Sequence, residues 1–172
     1  MPAVDPREHE DALATYIGSL DDVILGYLFG SHARGQVWAH SDVDVALLLA
    51  GEPDAARCLE RRLAAIGGIA DVLSTDDVDV VILNQAPLAL VYAVLRDGIL
   101  LFCRDEPARI AFQVRAVNAY LDFRPVLERH ERALLQKAER GELLDGYNPH
   151  RGALERYQVV RERLERTPPS DV

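Results

Sequence analysis

Two apolar runs, VILGYLF at Val23–Phe29 and VDVALLL at Val43–Leu49, constrain this chain more than any other feature. Runs of this length, bounded by turn residues, read as buried strands. Ten residues separate Ser31 from Asp42. That is enough for a loop or short helical turn that returns the second strand beside the first. Two carboxylates, Asp42 and Asp44, sit at the mouth of the second run. A carboxylate beside a buried strand is costly unless something neutralises it, so the pair needs a partner.

Around this unit the chain alternates helical and extended patterns. Glu8–Leu20 carries apolar residues at helical spacing. Asp54 reads as a helix N-cap, Ala55–Ile66 as the helix, and Gly67-Gly68 as its stop. Val78–Leu83 is a third strand, Asn84–Pro87 a turn, Leu88–Arg96 a short helix and Ile99–Phe102 a short fourth strand. Glu106 to Gly141 has a helical pattern, which Pro125 is expected to divide into two helices. Another helix is expected at Gly152–Arg166, ahead of a frayed polar tail. The order predicts an α/β (α+β) fold: a small mixed β-sheet flanked by helices, with a C-terminal helical extension. The expected division is a core over 1–104, C-terminal helices packed on it over 105–146, and an extension over 147–172.

Side chains at i and i+2 of a strand share a face. Asp42 and Asp44 therefore project together, with Val43, Val45 and Leu47 turned into the core. Two adjacent carboxylates raise each other's pKa unless a cation lies between them. Hard cations such as Mg2+ take one or two carboxylates together with substrate phosphates. The pair reads as a metal platform for phosphoryl chemistry; a solvated strand mouth is the alternative.

The preceding loop favours the platform. Gly30 lets the backbone approach a phosphate, and the following N–H groups and the Ser31 hydroxyl can donate to it. Arg34 is placed to reach phosphate oxygens or another carboxylate. Gly35 supplies the turn geometry. Asp79, inside VDVVIL, is the candidate third carboxylate. Taken alone, a charge pointing out from an edge strand or a salt bridge to an arginine accounts for it as well. Asp77 shares its face and is the alternative; Asp76 belongs to the turn. Two metal ions about 4 Å apart, bridged by Asp42 and Asp44, can hold an attacking oxygen and nucleotide phosphates for in-line displacement. Asp79 would bind the ion nearest the attacking hydroxyl and help take its proton. Pyrophosphate would leave, stabilised by the second metal and the Gly30-Ser31 turn.

Charge and composition narrow the function classes. A formal net charge of −9 argues against general nucleic-acid binding and suits a basic protein partner. Hydrophobic residues make up 49%, enough for a real core. Cys58 and Cys103 form no C-x-x-C pair and read as reduced residues in or near that core. The N-terminus lacks the pattern of a signal peptide, and no apolar run approaches the ~20 residues of a membrane span. A cytoplasmic protein is expected.

Gly-Ser, ten residues, Asp-x-Asp and a later strand Asp, here GSHARGQVWAHSDVDV with Asp79 downstream, resembles the polymerase-beta-like nucleotidyltransferase superfamily. VDVVILNQAPLALVYAVLRDGILLF and RIAFQVRAVNAYLDF narrow the resemblance to minimal nucleotidyltransferases, the MntA-type antitoxins of HEPN–MNT toxin–antitoxin pairs. The similarity covers roughly Val23 to Phe123. It implies transfer of AMP from ATP to a tyrosine of a cognate HEPN toxin, an RNase, with two Mg2+ ions as cofactor. It implies Gly30 and Ser31 at the nucleotide phosphates and Asp42, Asp44 and Asp79 as metal-binding catalytic residues. A relative with a small-molecule acceptor, such as an aminoglycoside, and an antitoxin acting by contact alone are the rival readings.

Several signals are set aside. His32 and His40 read as solvated loop residues, and Trp38 as packed on its own loop. Arg124 and His130 have the spacing used by HEPN ribonucleases, but a solvated helix explains them. RYQVVRERLER reads as a charged amphipathic helix packed on the core.

Overall fold

The computed structural model describes residues 5–35 and 41–140. A short 3-10 turn at Pro6–His9 leads into α1 (Glu10–Gly18), followed by β1 (Val23–Phe29), the single-turn helix α2 (Gly30–Ala33) and β2 (Val43–Leu49). Then come α3 (Ala55–Leu73), β3 (Val78–Ile82), α4 (Leu88–Asp97), β4 (Ile99–Cys103) and α5 (Glu106–Glu139). The strands form one mixed sheet in the order β3-β2-β1-β4. β1 pairs antiparallel with both β2 and β4, and β2 pairs parallel with β3. Both long apolar runs are strands over the expected bounds.

The core has two layers, one on each face of the sheet. Val43, Val45, Leu47 and Val80 pack against Leu13 and Ile17 of α1 and Ile69 and Leu73 of α3. Leu25, Tyr27, Ala46 and Leu48 pack against Val91 and Val94 of α4 and Ala116 of α5. The Asp44 face is thus covered farther along the strand, and only its mouth is open to carboxylates. Cys58 is buried and Cys103 half-buried, both free thiols. Among the described residues, no helix is long and apolar enough to cross a membrane.

Two helix boundaries differ from the sequence reading. Gly67-Gly68 does not stop α3, which runs on to Leu73 and ends at Ser74 in the left-handed conformation. A Cβ on Gly68 would overlap the Tyr16 ring, so this glycine serves the close approach of α1. The buried stripe Cys58, Ala65, Ile69, Leu73 carries the helix past it. Pro125 does not divide the C-terminal helix, since α5 continues through it. The Leu121 carbonyl that loses its donor lies in an exposed stretch, open to solvent. The described residues fall into two units that divide between Phe123 and Arg124. The helix expected at Gly152–Arg166 lies outside the described residues.

Candidate active site

Strand register assembles the site. In the β1–β2 pair Phe29 stands opposite Asp44, so the chain leaves β1 directly over this carboxylate. Gly30 turns there with φ +72°, and a Cβ would overlap Asp44 Oδ2 and lie 2.7 Å from its Cγ. A side chain is excluded both by backbone conformation and by space. In the parallel β2–β3 pair Asp44 stands opposite Asp79. The i+2 rule puts Asp42 on the same face, where it is exposed. Gly30, Ser31, Asp42, Asp44 and Asp79 thereby gather at one end of the sheet.

Charge at this end is unbalanced. Burial pushes the Asp44 carboxyl above its ordinary value, and the Asp79 and Asp42 charges push it further. The smaller fields of His32 and Arg34 pull it down. Arg34 itself is exposed at the end of α2. Gly35 turns the chain with φ +70°. Phe29, the N-cap of α2, gives no side-chain hydrogen bond to the first N–H groups. First-turn N–H groups without a side-chain cap are the donors that an anion takes.

Asp79 has a partner that the sequence did not identify by number. Arg62 of α3 donates to its Oδ1 at 2.9 Å across the edge of the sheet, and both side chains are about half exposed. An edge strand and an arginine partner, the two ordinary explanations for this carboxylate, are therefore both present. Asp77 is exposed, and its carbonyl accepts from Val43 N–H at 2.9 Å. Arg7 was also not singled out; it donates to the Ala33 carbonyl at 2.8 Å and closes the end of α2. His32 departs from its reading as a solvated residue: it is 1% exposed, with Nε2 3.2 Å from the Ser41 carbonyl oxygen. A spacing pattern gives no signal for the burial of a loop residue, because burial depends on which segment folds over it. His40 and Trp38 lie outside the described residues, as does the side chain of His130.

The donor set fits a hard divalent cation. Asp42 and Asp44 offer only oxygen ligands, and a cation would relieve the repulsion that raises the Asp44 carboxyl. Among the described residues no three His, Cys, Asp or Glu side chains close into a ready-made cluster. Asp79 is engaged by Arg62 through one of its two oxygens, Oδ1.

Residues 11–107 match the family described as "Polymerase beta, Nucleotidyltransferase", more than half of the chain. No curated protein matches. Among solved structures, a toxin–antitoxin crystallised with AMP-PNP is 25% identical with a TM-score of 0.59, covering 76% of this chain and 98% of that one. A mutant of the toxin–antitoxin MntA-HpeT is 26% identical with a TM-score of 0.58, covering 76% and 97%. A tri-AMPylated Shewanella oneidensis HEPN toxin in complex with MNT antitoxin shares the fold at 23% identity and a TM-score of 0.54, covering 77% and 98%.

Proposed function

Because the chain belongs to the polymerase-beta nucleotidyltransferase family, we propose that it transfers AMP from ATP to a tyrosine of a cognate HEPN toxin and so acts as its antitoxin. The observation that most supports this is the register bringing the Gly30 turn and the Asp79 carboxylate against the same Asp44 side chain. The likeness to a toxin–antitoxin carrying AMP-PNP supports ATP as the nucleotide. The MntA complexes among the neighbours support the protein partner.

In this reading the N–H groups at the start of α2 and the Ser31 hydroxyl hold nucleotide phosphate oxygens. Arg34, at the exposed end of the same helix, reaches the outer phosphates. Mg2+, held by Asp42 and Asp44 and by Asp79 once Arg62 has released it, supplies charge neutralisation for the triphosphate. The acceptor phenolic oxygen forms a bond to the α-phosphorus as the α–β bridging P–O bond breaks. Pyrophosphate leaves, and the phenolic proton passes to Asp79. Gly30, lacking a side chain, lets phosphate and the Asp44 carboxylate occupy adjacent positions.

The test is one intact mass. The protein encoded by the adjacent reading frame is co-expressed with this chain, or with its Asp42→Asn, Asp44→Asn double variant, and weighed. A gain of one or more AMP units with the wild type, absent with the variant, is the expected result. A tight complex without mass gain overturns the catalytic reading in favour of contact neutralisation.

A further inference from the structure

We propose that His32 is a positioning residue that ties the Gly30-Ser31 turn to the Asp42–Asp44 run; this rests on the nucleotidyltransferase reading of the site. Among the described residues His32 is the only buried polar or charged residue. Its ring lies between α2 and the chain entering β2. The nitrogen facing a carbonyl oxygen must carry a proton, so Nε2–H donates to the Ser41 carbonyl at 3.2 Å. Ser41 immediately precedes Asp42. On the other side of Asp42, Val43 N–H donates to the Asp77 carbonyl at 2.9 Å. The backbone on each flank of the exposed Asp42 is thus held by a hydrogen bond, one to the Asp77 carbonyl just ahead of β3 and one from the His32 ring. The second link makes the phosphate turn and the carboxylates one rigid unit.

The ring is a poor choice as mere filling. Its Nδ1 is buried without a hydrogen-bond partner among the described residues, which disfavours burial. Leucine would fill such a site without that penalty. What leucine cannot do is donate to Ser41.

Three variants of the full chain separate the possibilities. His32→Gln puts an amide nitrogen near the Nε2 position. His32→Asn stops one atom short, at the Nδ1 position. His32→Leu fills the space with no donor. Mn2+ affinity is read by electron paramagnetic resonance with AMP-PNP present, transfer kinetics by the KM–kcat split, and folding by urea unfolding. Leu and Asn are expected to lose roughly 10–100-fold in Mn2+ affinity, as supporting partners of ligands generally do. Gln retains most of it, and Leu unfolds at a urea concentration no lower than wild type. Transfer falls in kcat more than in KM, because the carboxylates shift while most nucleotide contacts stay. Wild-type Mn2+ affinity in the Leu variant overturns the proposal. So does an equal loss in all three, Gln included, accompanied by lost stability, since affinity then follows the folding of the turn and not the donor to Ser41. Wild-type protein that binds Mn2+ but modifies no protein refutes the acceptor reading alone; the affinity comparison still decides the role of His32.

Discussion

Gly30→Ala tests the site at its tightest point. Two separate penalties apply. An L-residue at φ +72° is disfavoured by about 1–2 kcal/mol. The added methyl also overlaps Asp44 Oδ2 and lies 2.7 Å from Cγ and 3.1 Å from Cβ. Rotating the carboxylate moves the first two atoms but not Cβ, which β2 holds in place, so some backbone must shift as well. Such overpacking costs about 1–3 kcal/mol, giving a total near 2–5 kcal/mol. Gly35→Ala is the internal reference. It has the same conformational penalty at φ +70°, yet its Cβ meets only the end of the Arg7 side chain, at 3.7 Å. Its loss should stay at about 1–2 kcal/mol. Urea unfolding followed by circular dichroism measures both. Adding Asp44→Ala to Gly30→Ala removes the colliding carboxylate and returns stability toward the Gly35→Ala value. A displacement of about 1 Å in a reacting group lowers turnover by about a hundredfold, so Gly30→Ala should also lose AMP transfer. Equal losses for the two alanine variants, with transfer intact in Gly30→Ala, would refute the claim that this glycine makes room for Asp44.

Asp44→Asn should change the pH dependence of stability. Burial first, then the Asp79 and Asp42 charges, hold this carboxyl above its ordinary value in the folded chain. The folded state therefore binds the proton more tightly than the unfolded state. The contribution is present at low pH and is lost as pH rises from the ordinary carboxylate range through the raised value. Without metal, the variant should lose that slope above the ordinary carboxylate range and be more stable near neutrality, while transfer stops; an unchanged slope in urea midpoints contradicts the assignment. Arg62→Ala breaks an exposed pair and should alter stability by under about 1 kcal/mol. If Arg62 competes with metal for Asp79, half-saturating Mg2+ falls, by at most about fivefold for that energy; a rise would mean that Arg62 assists binding. Within α3, Gly67→Ala has open space around it and should stabilise by about 0.5–1 kcal/mol. Gly68→Ala overlaps Tyr16, whose hydroxyl donates to the Ala64 carbonyl, and should destabilise by about 1–3 kcal/mol. Thermal melts of the pair distinguish a packing glycine from a helix stop by the opposite signs.

Local chemistry is legible in the sequence because its causes are local. The bounds of β1 and β2 follow from apolar runs ended by turn residues, and the shared face of Asp42 and Asp44 from the two-residue period of a strand. The N-cap at Asp54 follows from a side chain that accepts from the Arg57 N–H. A turn glycine at position 30 follows from its place between a strand and a loop; the positive φ belongs to the structure. Other features are relations between segments far apart in the chain. The β2–β3 register, which sets Asp79 and not Asp77 opposite Asp44, depends on pairing across the α3 crossover. The Arg62 partner depends on how α3 lies along the sheet edge. Gly68 looks like a stop in sequence and becomes a contact once Tyr16 is against it. His32 looks solvated until the chain entering β2 covers it. Residue spacing determines which side chains share a face, because backbone geometry repeats along a strand or helix. Only tertiary packing decides which faces meet, because that depends on burying surface contributed by the whole chain.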